Sequence, residues 1–195
     1  VKFARKHGAK THEVIADFSD NGQCEQILKS LKTLPQISAL IHTASPPLES
    51  NITDLINVNF YALNKMVDIL IPGMLCAQQG KIILLGSSAL QYHPPGWSNY
   101  IAAKSAATSL VEGVHKQFST YGVKGHTLSL GYVETPFSVL HRKKDQVNLL
   151  PEEVADEVAN IVQDTKSNAT CTWLEPGFKQ EGNYGFNEYP KKPVA

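Results

Sequence analysis

Short apolar segments alternate with longer amphipathic ones along most of this 195-residue chain. Residues 37–42 and 81–85 are continuous apolar runs, which are typical of strands buried on both faces. Between them, residues 53–78 carry apolar side chains at the spacing of a long helix. Strands that alternate with helices of this length indicate βαβ units. We therefore expect an α/β fold with a doubly wound parallel sheet between two layers of helices.

Further segments extend this alternation. An apolar run at residues 14–17 ends in the turn-prone sequence Asp-Phe-Ser-Asp. Pro72 is expected to bend or shorten the far end of the long helix, because proline lacks a backbone donor. We see no repeat or low-complexity linker, so residues 1–195 are expected to form one domain. The remaining predicted elements are helices at residues 23–34, 99–121 and 151–162, and strands at residues 123–130 and 170–174.

Composition argues against several classes of protein. The formal net charge is zero, so broad attraction to nucleic acid is not expected. Apolar runs fall short of the roughly 18 residues of a membrane span, and we expect no membrane association. Cys24, Cys76 and Cys171 are widely spaced and fit neither a disulfide framework nor a zinc site. They suit a reducing compartment, and we expect a cytoplasmic location and no metal.

Unusual residues follow three of the predicted strands. His-Thr-Ala-Ser occupies residues 42–45, Ser87 and Ser88 follow the next strand, and Gly-Tyr-Val occupies residues 131–133. Ligands of open α/β sheets bind outside the carboxyl ends of the strands. We therefore expect the functional site at this edge of the sheet.

Tyr100 and Lys104 lie four residues apart in a predicted helix. Side chains at this spacing share one helix face, about 6 Å apart. A nearby ammonium favours the phenolate and lowers the tyrosine pKa, which suits an acid/base catalyst. Tyr and Lys at this spacing are common in proteins, so the pair alone is weak support for catalysis. Ser87 and Ser88 end the preceding strand, where serine is also an ordinary turn residue.

The strand-end serine, Tyr100 and Lys104 together resemble the short-chain dehydrogenase/reductase (SDR) family. The signature of that family is a Ser, a later Tyr and a Lys four residues further on. Ser87 precedes Tyr100 by 13 residues, and this spacing favours Ser87 over Ser88 as the catalytic serine. Asn59, in the sequence Asn-Val-Asn-Phe, matches the asparagine of the family's catalytic group. The resemblance implies hydride transfer between NAD or NADP and a small carbonyl or alcohol substrate. Tyr100 would be the acid/base, Ser87 would hold the substrate oxygen, and Lys104 and Asn59 would support the proton transfer.

Other segments resemble the family's cofactor contacts. Residues 130–136 resemble its Pro-Gly-x-Val-x-Thr segment, with Leu130 in place of the proline. The resemblance implies that Val133 and Thr135 contact the nicotinamide carboxamide and the adjacent phosphate. The remaining cofactor-binding residues that it implies are Asp17 and Phe18 beside the adenine, Ala44, Tyr100 and Lys104.

Two features depart from the family pattern. The family's first βαβ unit carries a glycine-rich turn that holds the pyrophosphate, but Gly8 and Gly22 stand alone here. We therefore expect a Rossmann-like domain from which the first βαβ unit is missing. The chain is then either a fragment of a longer enzyme or an SDR-like binding or regulatory protein without turnover. Residues 42–45 replace the usual Asn-Asn-Ala-Gly and suggest the epimerase-like branch as a third hypothesis, with His42 in a structural role.

Substrate and partners are less constrained. Residues 137–150 match the family's variable substrate loop, and their basic run of His141, Arg142, Lys143 and Lys144 is either a solvated loop or a lid for an anionic substrate. Trp97 and Tyr132 suggest an apolar wall. Because family members pair through the two long helices, we expect a homodimer or homotetramer.

Overall fold

The computed structural model describes residues 5, 6, 8–139, 141 and 147–183. Its sheet has five strands in the order β1-β2-β3-β4-β5, which is also their order in the chain. The first four strands run parallel, and β5 pairs antiparallel with β4. The strands are β1 (Ala39–His42), β2 (Gly80–Leu85), β3 (Val123–Leu130), β4 (Cys171–Glu175) and β5 (Phe178–Gly182).

Helices connect the parallel strands. The longest, α2, is one continuous rod with a π-helical turn at its centre, and α4 continues into a short 3-10 turn at Ser119–Tyr121. The described helices are α1 (Asn21–Leu31), α2 (Ile52–Ile56, the π turn Asn57–Tyr61 and Ala62–Cys76), α3 (Ala89–Tyr92), α4 (Ser98–Phe118) and α5 (Pro151–Gln163).

Alternate residues of the strands face different helical layers. Ile82 and Leu84 of β2 pack with α2 and α4 in one core cluster. Ile83, between them, packs with Leu128 of β3 and with α5 on the opposite face. Both faces of the sheet are therefore covered, which explains why the strands are continuously apolar. The predicted three-layer α/β/α fold is confirmed.

Two parts of the sheet differ from the prediction. The apolar run at residues 14–17 forms no strand, and Ile15 is 88% exposed. In the described part of the chain β1 is an edge strand, so this run has no strand beside it with which to pair. At the other edge, residues 170–174 were expected to be the last strand, yet the chain turns at Gly177, with φ at 69°, into β5. The mostly polar sequence of β5, Phe-Lys-Gln-Glu-Gly, carries a weak strand signal.

Pro72 lies inside α2, and the helix continues to Cys76. Proline removes one backbone hydrogen bond, but Ile71 and Met74 on either side are buried in the core cluster. Their burial holds the last turn in place, so the proline shortens the predicted helix by two residues at most. Among the described residues, we find no helix that is long and apolar enough to cross a membrane. No disulfide joins Cys24, Cys76 and Cys171.

Candidate active site

The predicted catalytic residues meet at the carboxyl end of β2. Ser87 follows β2 directly, and Tyr100 and Lys104 lie on the first two turns of α4. Asn59 lies in the π turn of α2, which packs against α4. The fold thereby brings together one residue from a strand end and three from two adjacent helices.

Ser87 lies close enough to Tyr100 for its hydroxyl to lower the pKa of the Tyr100 hydroxyl. Ser87 Oγ also accepts a hydrogen bond from the Ala89 backbone N–H at 3.2 Å. Ser88 is buried, and its backbone N–H donates to the Leu130 carbonyl at 2.8 Å. Of the two serines, Ser87 is the one that meets Tyr100.

Tyr100 is 6% exposed, and burial raises the pKa of its hydroxyl above the usual value of 10.0. The neighbouring Ser87 hydroxyl lowers this pKa, but its effect is smaller than that of burial. This corrects the expectation that Lys104 lowers the tyrosine pKa. The Lys104 Nζ lies 5.9 Å from the centre of the Tyr100 ring, so the ammonium faces the ring. Tyr100 therefore keeps its proton at neutral pH.

Lys104 is 4% exposed, and its Nζ donates to the Leu85 carbonyl at 3.1 Å. Burial lowers the pKa of this ammonium to about 8, because a charge is poorly solvated inside the protein. Among the described residues no carboxylate forms an ion pair with Lys104. The ammonium therefore depends on neutral oxygen atoms for its solvation.

Asn59 is fully buried in the π turn. Its Nδ2 donates to the Leu55 carbonyl at 2.9 Å, whereas its Oδ1 has no partner among the described residues. Single π turns inside α-helices are frequent at functional sites. Sequence reasoning identified Asn59 but not the π turn that positions it.

His42, at the end of β1, holds the same turn from the other side. Its ring Nε2–H donates to the Val58 carbonyl at 3.1 Å. Burial lowers the pKa of the ring to about 4, and the nearby Lys104 charge adds to this effect. A neutral, buried and hydrogen-bonded histidine agrees with the structural role predicted for it.

The predicted adenine contacts lie beside β1. Asp17 is exposed, and Ser19 donates to its Oδ1 from the backbone N–H at 2.8 Å and from the hydroxyl at 2.7 Å. These bonds hold the pKa of the Asp17 carboxyl below its usual value. The Phe18 ring lies 6.4 Å from the His42 ring. Ala44 follows β1 two residues later.

The predicted nicotinamide contacts lie after β3. Val133 forms a bridge with Leu149, and the Thr135 backbone N–H donates to the Val133 carbonyl at 2.8 Å. The Ser138 hydroxyl donates to the Val133 and Thr135 carbonyls. This segment is a hydrogen-bonded turn at the same edge of the sheet as Ser87.

Aromatic rings surround Trp97 beside the serine–tyrosine pair. The Trp97 ring centre is 5.8 Å from that of Tyr100, 6.4 Å from that of Tyr132 and 5.8 Å from that of His141. His141 Nε2 also lies 3.2 Å from Glu49 Oε1. An aromatic wall agrees with the predicted apolar surface. Arg142, Lys143 and Lys144 lie outside the described residues.

Glu175 was missed by the sequence analysis. This buried carboxylate at the end of β4 accepts hydrogen bonds at Oε1 from the Tyr92 hydroxyl, at 3.0 Å, and from Trp173 Nε1, at 3.2 Å. Burial, with the Glu175 charge, raises the pKa of Tyr92 to about 12. Tyr92 ends α3, the helix that directly follows Ser87 and Ser88, so Glu175 ties the serine segment to β4. The available signal was an acidic residue at the end of an apolar strand.

We expect Glu175→Leu to lower the free energy of unfolding by about 1–3 kcal/mol, because it removes the acceptor of two hydrogen bonds. Glu175→Gln keeps an acceptor oxygen and is expected to lose less. Urea denaturation of both variants and the wild type measures the difference. Equal stability of the leucine and glutamine variants would contradict this role of Glu175.

Comparison with known proteins places this architecture in a family. Residues 1–146 match the family model described as short chain dehydrogenase. The chain belongs to the short-chain dehydrogenase family. The SDR chain is 25% identical over 154 residues to a very-long-chain 3-oxoacyl-CoA reductase of Anas platyrhynchos, covering 72% of this chain and 49% of that relative.

Two further proteins are similar to this chain. A 3-oxoacyl-[acyl-carrier-protein] reductase of Thermotoga maritima is 22% identical over 189 residues, covering 87% of this chain and 77% of the relative. A Sphingobium yanoikuyae short-chain dehydrogenase, solved in complex with NADPH, superposes with a TM-score of 0.76 at 18% identity, over 88% of this chain and 70% of that one. With 49% of the Anas reductase covered, the chain spans about half the length of that relative.

Proposed function

We propose that this chain forms the catalytic part of an NAD(P)-dependent oxidoreductase that interconverts a carbonyl and an alcohol. The observation that carries the proposal is that Ser87 and Tyr100, with Lys104 and Asn59 behind them, lie together at the carboxyl edge of the sheet. The named activities of the two 3-oxoacyl reductases and the NADPH bound by the Sphingobium enzyme support the same reaction class.

Tyr100 and Ser87 would act on the substrate oxygen. Because burial keeps Tyr100 protonated, its hydroxyl can donate a proton to a carbonyl oxygen as the carbon is reduced. The Ser87 hydroxyl would hydrogen-bond the same oxygen and stabilise the negative charge that develops there. In the reverse direction, Tyr100 would accept the proton of the alcohol.

Lys104 and Asn59 suit the nicotinamide half of the cofactor. An ammonium has three donors, and the described structure commits one of them to the Leu85 carbonyl. A second would hold the ribose hydroxyls, and the third is left for water, including one held by the Asn59 Oδ1 that would pass protons to Lys104. NAD or NADP, when bound, supplies or accepts the hydride. Asp17, Phe18, Ala44, Val133 and Thr135 are the proposed contacts with the rest of the cofactor.

Titration with NADH and NADPH, followed by reduced-nicotinamide fluorescence, tests this proposal. We expect dissociation constants on the order of micromolar for at least one of the two nucleotides. Lys104→Met is expected to weaken binding by about 10-fold or more, because it removes a charged hydrogen-bond donor. Lys65→Met is the matched control, since Lys65 lies on α2 and pairs with Glu25 at 2.9 Å. Absence of binding by the wild type would contradict the proposal.

The second candidate function is an SDR-like binding or regulatory protein without turnover. If neither nucleotide binds while the chain remains folded, this second function is supported. If nucleotide binds and ketones are reduced, it is excluded.

We also propose that the protein acts in the cytoplasm on a small molecule and assembles as a homodimer or homotetramer through α2 and α4. Tyr61, 54% exposed on α2, would lie in that contact. Sedimentation of the wild type and of Tyr61→Asp tests the assembly. A wild type that remains monomeric at micromolar concentration would contradict it.

A further inference from the structure

Three buried hydroxyl groups beneath the candidate site have no hydrogen-bond partner among the described residues. They belong to Thr108 on α4 and to Thr127 and Ser129 on β3. Thr108 is 0% exposed, and the other two are 1% exposed. Buried hydroxyl groups are nearly always hydrogen-bonded, so three in one region require an explanation.

All three hydroxyls belong to one layer of the fold. Thr127 pairs in the sheet with Leu84, whose side chain packs with α2 and α4. Residues two apart on a strand face the same way, so Ser129 also faces α4. Thr108 lies one turn beyond Lys104 on α4, between Ala107 and Val111 of the same core cluster. The three hydroxyls therefore lie between α4 and β3.

The same layer contains the Lys104 ammonium, which has hydrogen-bond donors that no described residue accepts. Lys104 is buried without an ion-pair partner among the described residues, and its Nζ donates to the Leu85 carbonyl. The Asn59 Oδ1, from α2, is a fourth oxygen without a partner in the described structure. In proteins, ordered water molecules bridge buried polar groups that do not bond one another directly. Here the groups to be bridged are these oxygens and the Lys104 ammonium.

We propose that Thr108, Thr127 and Ser129 form an internal hydration site between α4 and β3, whose ordered water molecules solvate the Lys104 ammonium. The existence of this hydration site rests only on the packing of α4 against β3. Its role in proton transfer rests on the proposed function. In that reaction the three hydroxyls are positioning residues. They touch neither substrate nor cofactor, and they act by keeping Lys104 charged.

Isosteric replacement tests the site without any assay of activity. Thr→Val at residues 108 and 127 exchanges a hydroxyl for a methyl group of the same shape. If the hydroxyls bind water, each variant is expected to lower Tm by about 2–4 °C, as for the loss of one hydrogen bond. Thr172→Val is the reference for a buried hydroxyl with a known partner, His126 Nε2 at 2.9 Å, and is expected to lower Tm by a similar amount. A Tm that is unchanged or raised in both the Thr108 and Thr127 variants would overturn the proposal.

Nuclear Overhauser effects between water and the threonine methyl groups provide a second measurement on the wild type. We expect contacts from long-lived water to the methyls of Thr108 and Thr127, and none to the methyls of Val123, which lies in the apolar core cluster of α2, β2 and α4. Equal absence of water contacts at all three residues would refute the site. This result is independent of whether NADPH binds.

The effect on Lys104 is measured by NMR titration of its ε-carbon. Ser129→Ala and Thr108→Val are expected to lower the pKa of Lys104 by about one unit relative to the wild type, since fewer dipoles then stabilise the charge. An unchanged titration in both variants would show that the water does not solvate Lys104. If nucleotide fails to bind while this shift is seen, the proposed function fails and the hydration site stands.

Discussion

Tyr100→Phe is expected to reduce the rate of carbonyl reduction by about 10²–10⁴-fold, because the variant lacks the proton donor. The phenyl ring still packs with Trp97 and the Ala103 cluster, so the fold is expected to persist. Steady-state oxidation of NADPH in the presence of a panel of ketones, together with circular dichroism, measures both expectations.

Tyr121→Phe is the control, because Tyr121 is 60% exposed and lies at the far end of α4. It is expected to retain full activity. Nucleotide titration of the Tyr100 variant separates catalysis from binding, since the variant keeps Lys104. A Tyr100→Phe variant with near wild-type turnover and intact structure would refute the assignment of Tyr100 as the acid/base.

Acid is expected to destabilise the protein between pH 6.5 and pH 4 through two buried histidines. His42 donates to the Val58 carbonyl, and His126 bonds the Ala169 carbonyl and the Thr172 hydroxyl. Burial lowers the pKa of each ring from 6.5 to about 4. In this window the unfolded chain binds protons that the folded chain does not, so stability falls as the pH falls.

The loss is expected to reach about 3 kcal/mol for each histidine once the pH falls below 4, and about 2 kcal/mol for each at pH 5. Urea denaturation at pH 7 and pH 5 measures it. His126→Gln is expected to be less stable at pH 7 but to lose less stability on acidification. His93→Asn is the control, because His93 is exposed and its φ of 45° suits asparagine. Equal pH dependence of wild type and His126→Gln would contradict this explanation.

The buried state of Tyr100 has a mechanistic consequence. A tyrosine with a raised pKa is a proton donor at neutral pH, which suits reduction of a carbonyl. Lys104 stands over the Tyr100 ring and donates to the Leu85 carbonyl, so its charge reaches the hydroxyl weakly in this arrangement. The Ser87 hydroxyl favours the ionised form of Tyr100, and burial outweighs it.

Local patterns predicted much of the fold. The bounds of β3 are those expected from the sequence, although its apolar pattern is weak, and α5 begins at Pro151 as expected, because proline suits the first turn of a helix. The spacing of Ser87 and Tyr100 predicted their meeting, because β2 ends and α4 begins at one edge of the sheet. Such signals lie within a few residues of the features that they predict, and they can therefore be read without knowledge of the packing.

Tertiary structure decided the features that depend on contacts between distant segments. The sequence by itself determined the layer architecture, the strand ends and the candidate Ser, Tyr, Lys and Asn residues. Packing decided that Asn59 lies in a π turn held by His42, and that Glu175 bonds Tyr92 across 83 residues. It also decided that Tyr100 is buried enough to raise its pKa. The period of a pattern shows which face of an element is buried, whereas the neighbours of a buried polar group depend on how separate elements pack together.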